Sequence, residues 1–87
     1  MSAAELIPFL TDNKANVRTI AVEHIKALTA TPEGIAELSK TDVIKPLTKL
    51  IGDQMNIAKD AITALINLCE NADLMAQVMR TIALSTC

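Results

Sequence analysis

The chain repeats itself at a shift of forty residues. Residues 64–68 read Ala-Leu-Ile-Asn-Leu, and residues 24–28 read His-Ile-Lys-Ala-Leu. The same shift pairs residues of like character along the chain: Ile7 with Leu47, Leu10 with Leu50, Asn16 with Asn56, Val17 with Ile57, Ala21 with Ala61, Val22 with Ile62, Ile25 with Leu65 and Leu28 with Leu68. A period of this length, with helical spacing inside each unit, is typical of stacked helical repeats.

Apolar residues recur at helical spacing throughout, which predicts helices near 13–29, 32–39, 42–51, 54–70 and 73–84 and no strand. A further short helix is expected to end near Leu10, opened by a capping box of Ser2 and Glu5. Thr31 followed by Pro32 is a helix start, and Asp53 is expected to cap the helix that follows it.

The order of helix lengths predicts an all-α armadillo- or HEAT-like solenoid, a right-handed superhelix of about two repeats. Residues 1–87 then form one region, with a partial repeat at 1–30, a full repeat at 31–70 and the first helix of a third at 71–87. Leu74, Met75, Val78 and Ile82 should leave an apolar face open in the third repeat. We therefore expect a fragment of a longer protein that self-associates.

Charge and composition argue against two classes of partner. The net charge is −2 and the basic residues are scattered among the acidic ones, whereas nucleic-acid and anionic-membrane surfaces need clustered Lys and Arg. No apolar stretch approaches the roughly twenty residues of a membrane span. With one Phe and no Trp or Tyr, the core must consist of Leu, Ile, Val and Ala.

The chemistry-bearing residues are sparse. Cys69 and Cys87 are eighteen residues apart and His24 is the single histidine, so the spacing of a zinc site is missing and no metal or cofactor is expected. No nucleophile with a base, carboxylate pair or phosphate loop is present, which predicts a protein without enzymatic activity. A Cys69–Cys87 disulfide is not favoured because the N-terminus does not look secretory, and a reducing compartment, cytoplasmic or also nuclear, is expected.

Several side chains are interpreted as core. His24 lies in the apolar arc of its helix and is expected to be packed there, and Cys69 is expected to be a small core residue. Met55, Met75 and Met79 are expected in the core or between repeats. Leu28 and Leu68 occupy equivalent core positions.

A helical wheel leaves a polar strip on each long helix. In a solenoid of this kind the long helices line the concave side, so the two strips should stack into one ridge that binds a protein partner. An ordinary solvated face is an equally open interpretation. The predicted ridge residues are Asn16, Thr19, Glu23, Lys26, Asn56, Lys59, Asp60, Thr63, Asn67 and Glu70.

The amino-acid sequences of several segments are similar to those of one family. Residues 5–10 (Glu-Leu-Ile-Pro-Phe-Leu), 17–29 and 61–68 resemble the N-terminal repeats of the Hgh-type armadillo proteins, which are eukaryotic cytosolic chaperone factors for translation elongation factor 2. The resemblance implies an N-terminal fragment with that elongation factor, the cytosolic chaperonin and a heat-shock co-chaperone as partners. Armadillo repeats can clamp a peptide backbone with Asn, but Ala27 stands where Asn67 would repeat and Trp is missing, so a peptide clamp is not favoured.

The function expected from these observations is a protein-binding scaffold that helps translation elongation factor 2 to fold. The alternatives are an armadillo-type scaffold in trafficking, signalling or complex assembly, or the non-catalytic helical part of a larger protein.

Overall fold

The computed structural model describes residues 3–85, and they are helical without any strand. The elements are α1 (Ala3–Leu6), a 3₁₀ helix (Ile7–Thr11), α2 (Ala15–Leu28), α3 (Pro32–Leu38), α4 (Ile44–Leu50), α5 (Met55–Leu68) and α6 (Ala72–Ser85). The predicted all-α class and the predicted helix positions are confirmed. No helix in this range is long and apolar enough to cross a membrane. The capping role of Ser2 and the pairing of Cys87 fall outside the described residues.

Proline divides the first helical segment. The sequence predicts one short helix up to Leu10, but α-helical geometry ends at Leu6 and a 3₁₀ helix follows with Pro8 in its first turn. Proline has no N–H to donate to the carbonyl one turn earlier, so the α-helical pattern cannot continue through it. The tighter winding keeps Leu10 buried in the core.

The two predicted helix caps have different outcomes. Thr31 caps α3 as expected, since its hydroxyl accepts a hydrogen bond from the Gly34 N–H at 3.0 Å and Pro32 is the first helical residue. The prediction for Asp53 is wrong, because α5 is preceded by Gln54 and has no side-chain cap at that position. Asp53 instead forms an ion pair with Arg18 of α2.

The helices pack in an order that follows the forty-residue shift. The long helices α2 and α5 lie against each other, the 3₁₀ helix packs on α2, and α4 packs on α5 in the same way. Helix α3 contacts α1, and α6 repeats this contact on α4. The arrangement is compatible with a helical repeat.

One continuous core fills the space between these helices, built from aliphatic residues as the composition requires. Its fully buried large side chains are Leu10, Val22, Ile25, Leu38, Val43, Ile44, Leu47, Ile57, Leu68 and Leu74. Leu68 is therefore a core residue as predicted. The equivalent prediction for Leu28 is wrong in degree, because that side chain is only half-buried at the edge of the core.

Several other burial predictions fail where a helix has a neighbour on one side only. His24 is exposed, although its repeat equivalent Ala64 is completely buried. Met55 is 86 % exposed, and Met75 and Met79 are also on the surface. Cys69 is half-buried against the core.

The open face expected on α6 is smaller than predicted. Leu74 is fully buried and Val78 is 5 % exposed, because α6 packs on α4. Ile82 remains exposed, as expected, and so does Met75, which the sequence assigned both to this open face and to the core or the space between repeats. The helix therefore divides into a buried edge and an exposed apolar edge.

A glycine allows α3 to approach the end of α2. A Cβ atom on Gly34 would lie 2.6 Å from the Leu28 carbonyl carbon and nearer still to its oxygen. Real Cβ atoms do not come this close to backbone, so only glycine fits at this contact. The crossing of α2 and α3 therefore depends on Gly34.

Candidate functional site

The structure places all ten predicted ridge residues at the surface of α2 and α5. Six of them are exposed, four are half-buried and none is fully buried. Helix α2 contributes four of them, α5 contributes five, and Glu70 follows the end of α5. We call this surface the polar ridge; it consists of Asn16, Thr19, Glu23, Lys26, Asn56, Lys59, Asp60, Thr63, Asn67 and Glu70.

An ion pair joins the two halves of the polar ridge. The Nζ atom of Lys26 on α2 donates to Oδ1 of Asp60 on α5 at 3.0 Å. The Asp60 side chain is 17 % exposed and that of Lys26 is 42 % exposed. Exposed pairs of this kind contribute less than about 1 kcal/mol, so its main effect is to hold two polar groups in a fixed arrangement.

A second link runs through Asn67, which the sequence identifies as the most distinctive residue of α5. Its Nδ2 donates to the Thr29 hydroxyl at 3.0 Å, and this hydroxyl donates to the Lys26 carbonyl oxygen at 2.6 Å. Thr29 is only 3 % exposed, so the chain of hydrogen bonds is shielded from water. The Asn67 amide group thus joins α5 to the last turn of α2, and one of its donors is already used within the protein.

The two threonines of the ridge bond to their own helices. Thr19 donates to the Ala15 carbonyl and Thr63 donates to the Lys59 carbonyl, each at 2.9 Å. Their donor hydrogens are consequently used inside the helix. The exposed side chains available to a partner carry two carboxylates, one ammonium group and two amides: Glu23, Glu70, Lys59, Asn16 and Asn56.

The sequence analysis missed a third link between the long helices. Arg18 holds the Asp53 carboxylate with two nitrogens, Nε to Oδ2 at 2.7 Å and Nη2 to Oδ1 at 3.1 Å. Its Nη1 also donates to the carbonyl oxygens of Asp12 and Asn13. The hydrogen bond from Arg18, together with the Gln54 N–H, holds the pKa of Asp53 below its usual value.

A charge pattern could have revealed these links. Arg18 and Lys26 lie eight residues apart on one side of α2, and Asp53 and Asp60 lie seven apart beside and on α5. At about 1.5 Å per residue, both spacings correspond to roughly 11 Å along parallel helices. Opposite charges in matching register on two successive long helices indicate direct pairing.

An open cleft extends the ridge beyond the carboxyl-terminal ends of α2 and α5. Its volume is about 480 Å³. It is lined by both polar and apolar residues: Thr29, Ala30, Thr31, Pro32, Ile35, Ala36, Glu70 and Asn71. A partner lying along the ridge would reach this cleft at Glu70, where an apolar side chain has space.

The ridge provides hydrogen-bonding groups and charges of both signs, which suit a polar protein surface. Among residues 3–85 no three His, Cys, Asp or Glu side chains come together in a way that could hold a metal ion.

Comparison with known proteins gives two relatives. The chain is 31 % identical over 77 residues to Protein HGH1 homolog of Dictyostelium discoideum, covering 87 % of this chain and 22 % of that protein. It is 34 % identical over 70 residues to Protein HGH1 homolog of Schizosaccharomyces pombe, covering 77 % of this chain and 20 % of that protein. The chain thus spans about a fifth of the length of these relatives. No family model and no solved structure matches it.

Proposed function

The chain is an HGH1-type sequence, and from that premise we propose that it is a protein-binding segment of an armadillo-like solenoid that acts as a folding scaffold. Its binding surface is the polar ridge. The observation that supports this proposal is the set of links between α2 and α5. They fix polar groups from two successive long helices in one continuous surface.

Prearranged side chains favour binding because fewer rotamers are lost when a partner docks. Lys26 and Asp60 hold each other, and Asn67 is held by Thr29. The free groups beside them, Glu23 and Lys59, therefore project from a supported surface. This arrangement suits a partner with mixed charge.

The partner that the family resemblance favours is translation elongation factor 2, with the cytosolic chaperonin and a heat-shock co-chaperone acting on the same client. A cytoplasmic location, also nuclear, accompanies this proposal, as does a role without catalysis. Because the relatives are about five times longer than the matched segment, the segment is proposed to supply one part of a larger client surface.

Binding of purified translation elongation factor 2 to the chain tests the proposal. A variant with Glu23→Ala, Asn56→Ala and Lys59→Ala should bind at least about tenfold more weakly, since each lost polar contact costs on the order of 1 kcal/mol. Glu33→Ala with Lys40→Ala is the matched control, because both side chains are exposed and lie off the ridge. It should bind as the unmodified chain does.

The outcomes separate the alternatives. Equal binding by the ridge variant and the control would show that the ridge is not the contact surface. If the elongation factor does not bind, the client assignment is wrong. Capture from eukaryotic cytosol that depends on the ridge residues, but recovers trafficking or signalling proteins, would support a scaffold in another pathway.

A further inference from the structure

Exposed large apolar residues occur on both of the units that α2 and α5 join, and also on α6. The first unit consists of α1, the 3₁₀ helix and α2, and the second of α3, α4 and α5. Phe9 and Ile20 lie on the first unit, with 38 % and 57 % of their surface exposed. Ile51, Ile62 and Ile66 lie on the second unit, between 41 % and 64 % exposed. Each of these five residues lies forty positions from a residue at or beside the interface that already joins the two units.

That internal interface has a defined pattern. Side chains of the first unit that face the second are Arg18, Lys26 and Thr29, and they meet Asp53, Asp60 and Asn67. Beside them, Ile7, Pro8 and Thr11 of the 3₁₀ helix line a cleft opposite Asp42, Lys45 and Lys49 near α4. The equivalents of the six linking residues, forty positions away, are all at least partly exposed.

The residues forty positions after Arg18, Lys26 and Thr29 lie on the outer side of the second unit. We call this side the distal face. Its members are Ala58, Ile66 and Cys69 on and after α5, together with Ile51 and Ile62, which lie forty positions after Thr11 and Val22. The residues forty positions before Asp53, Asp60 and Asn67 lie on the first unit, on a side that we call the proximal face. Its members are Asn13, Ile20 and Ala27, with Phe9 in place of Lys49 and His24 in place of Ala64.

The residue pairs that would meet across the two faces differ in character from those at the internal interface. Where Lys26 meets Asp60 internally, the equivalent pair across the two faces is Ile66 with Ile20. Both charges are replaced together by apolar side chains, so no ion is left without its partner. The other two internal pairs also have uncharged equivalents across the faces. Thr29 with Asn67 corresponds to Cys69 with Ala27, and Arg18 with Asp53 corresponds to Ala58 with Asn13.

The helices at the two sides are also complementary. Within residues 3–85, the first unit has α1, the 3₁₀ helix and α2 but no equivalent of α3, whereas α6 is an α3 equivalent standing alone in the third unit. Helix α6 already packs on α4 as α3 packs on α1. It therefore lies where the first helix of another three-helix unit would be required.

We propose that a second copy of this chain docks its proximal face on the distal face, so that α6 of one copy and α1 to α2 of the next complete one unit. The surface that binds differs from the surface that it covers, so the contact is heterologous. Contacts of this kind extend into open chains of copies when the rotation does not close a ring. Continuity with the internal α2–α5 interface determines the register, with Ile66 against Ile20 of the next copy.

The first test is the mass of the 87-residue chain across a wide concentration range, measured by sedimentation velocity. The weight-average mass should rise steadily and pass that of a dimer. A monomer at every concentration would overturn the proposal, and so would a mass that stops at a dimer, because a symmetric pair would use one face twice.

Charge substitutions identify the faces. Ile66→Lys or Ile20→Asp alone should weaken association at least about tenfold, because each buries an unpaired charge against an isoleucine. Mixing the two single variants, or combining both changes in one chain, should restore association, since the new charges then meet across the contact. Loss of association without this rescue would overturn the proposed register.

Matched controls carry the same new charges elsewhere. Ser39, at the end of α3, is exposed and belongs neither to the polar ridge nor to either face, so Ser39→Lys and Ser39→Asp are the controls. They should associate like the unmodified chain. All variants change exposed residues, so the circular dichroism of each should show that it has kept its helices. Equal weakening by the controls would contradict the proposal.

Discussion

Replacing Gly34 by Ala should destabilise the protein through one backbone contact. The added Cβ would lie 2.6 Å from the Leu28 carbonyl carbon and 2.9 Å from its Cα, with the oxygen closer. These atoms belong to the last turn of α2 and cannot rotate away as a side chain would. The substitution therefore forces α3 to move from α2, which also disturbs the Thr31 cap.

The magnitude follows from two opposing effects. Overpacking a close contact costs about 1–3 kcal/mol, and the rigid partner places this case near the upper end. Alanine recovers about 1 kcal/mol of helix propensity relative to glycine. The net loss is about 2 kcal/mol, which for a chain of this size lowers the melting temperature by roughly 8–16 °C.

The second glycine gives the matched control. A Cβ on Gly52 would meet the Lys49 carbonyl oxygen at 3.8 Å, an ordinary contact, and neither glycine has a positive φ. Gly52→Ala should therefore stabilise the protein by about 0.4–1 kcal/mol.

Because the chain has no Trp or Tyr, urea unfolding is best followed by far-ultraviolet circular dichroism. If Gly34→Ala is as stable as the unmodified protein, the close packing of α3 on α2 is wrong.

Three further predictions use the same unfolding assay. Leu68→Ala should cost about 2–5 kcal/mol because the side chain is fully buried, whereas Leu28→Ala should cost about half as much; equal costs would contradict the burial difference. Asp53→Asn should reduce stability above pH 3.8, the ordinary pKa of Asp, because its lowered pKa in the folded state adds stability that is lost as pH falls through the folded value. The difference from the unmodified protein should therefore shrink in acid, and a constant difference would argue against the Arg18 pair. Thr63→Ala should cost less than about 0.5 kcal/mol, since its exposed hydroxyl bonds only to its own helix.

The helices could be predicted from the sequence because each carries its own signal. Apolar spacing determines α2 and α5 without reference to any neighbour, and Thr31 with Pro32 marks the start of α3 locally. The candidate ridge could be predicted for the same reason, since a wheel separates polar from apolar sides of one helix. A helical wheel does not show which partner the polar ridge contacts.

Burial at the margins could not be predicted, because it depends on which neighbour is present. Ile20 and His24 occupy positions equivalent to Asp60 and Ala64, but α2 is packed only on the side that faces α5. A helical wheel assigns them to the apolar arc and leaves open whether another helix covers them. The role of Asp53 was hidden similarly, because capping is a local interpretation and its actual partner, Arg18, lies thirty-five residues away.

The polar links between α2 and α5 explain why the two long helices have one register. A shift of one helical turn would put a larger side chain, Ile57 or Leu65, where Ala61 is fully buried. It would also separate the pairs Arg18–Asp53 and Lys26–Asp60 at once and leave partly buried charges unmatched. The proximal and distal faces lack such pairs, so the proposed register between copies depends on apolar contacts such as that of Ile66 with Ile20. Introducing Ile66→Lys together with Ile20→Asp would add this missing specificity, and the restored association should then be more sensitive to salt than that of the unmodified chain.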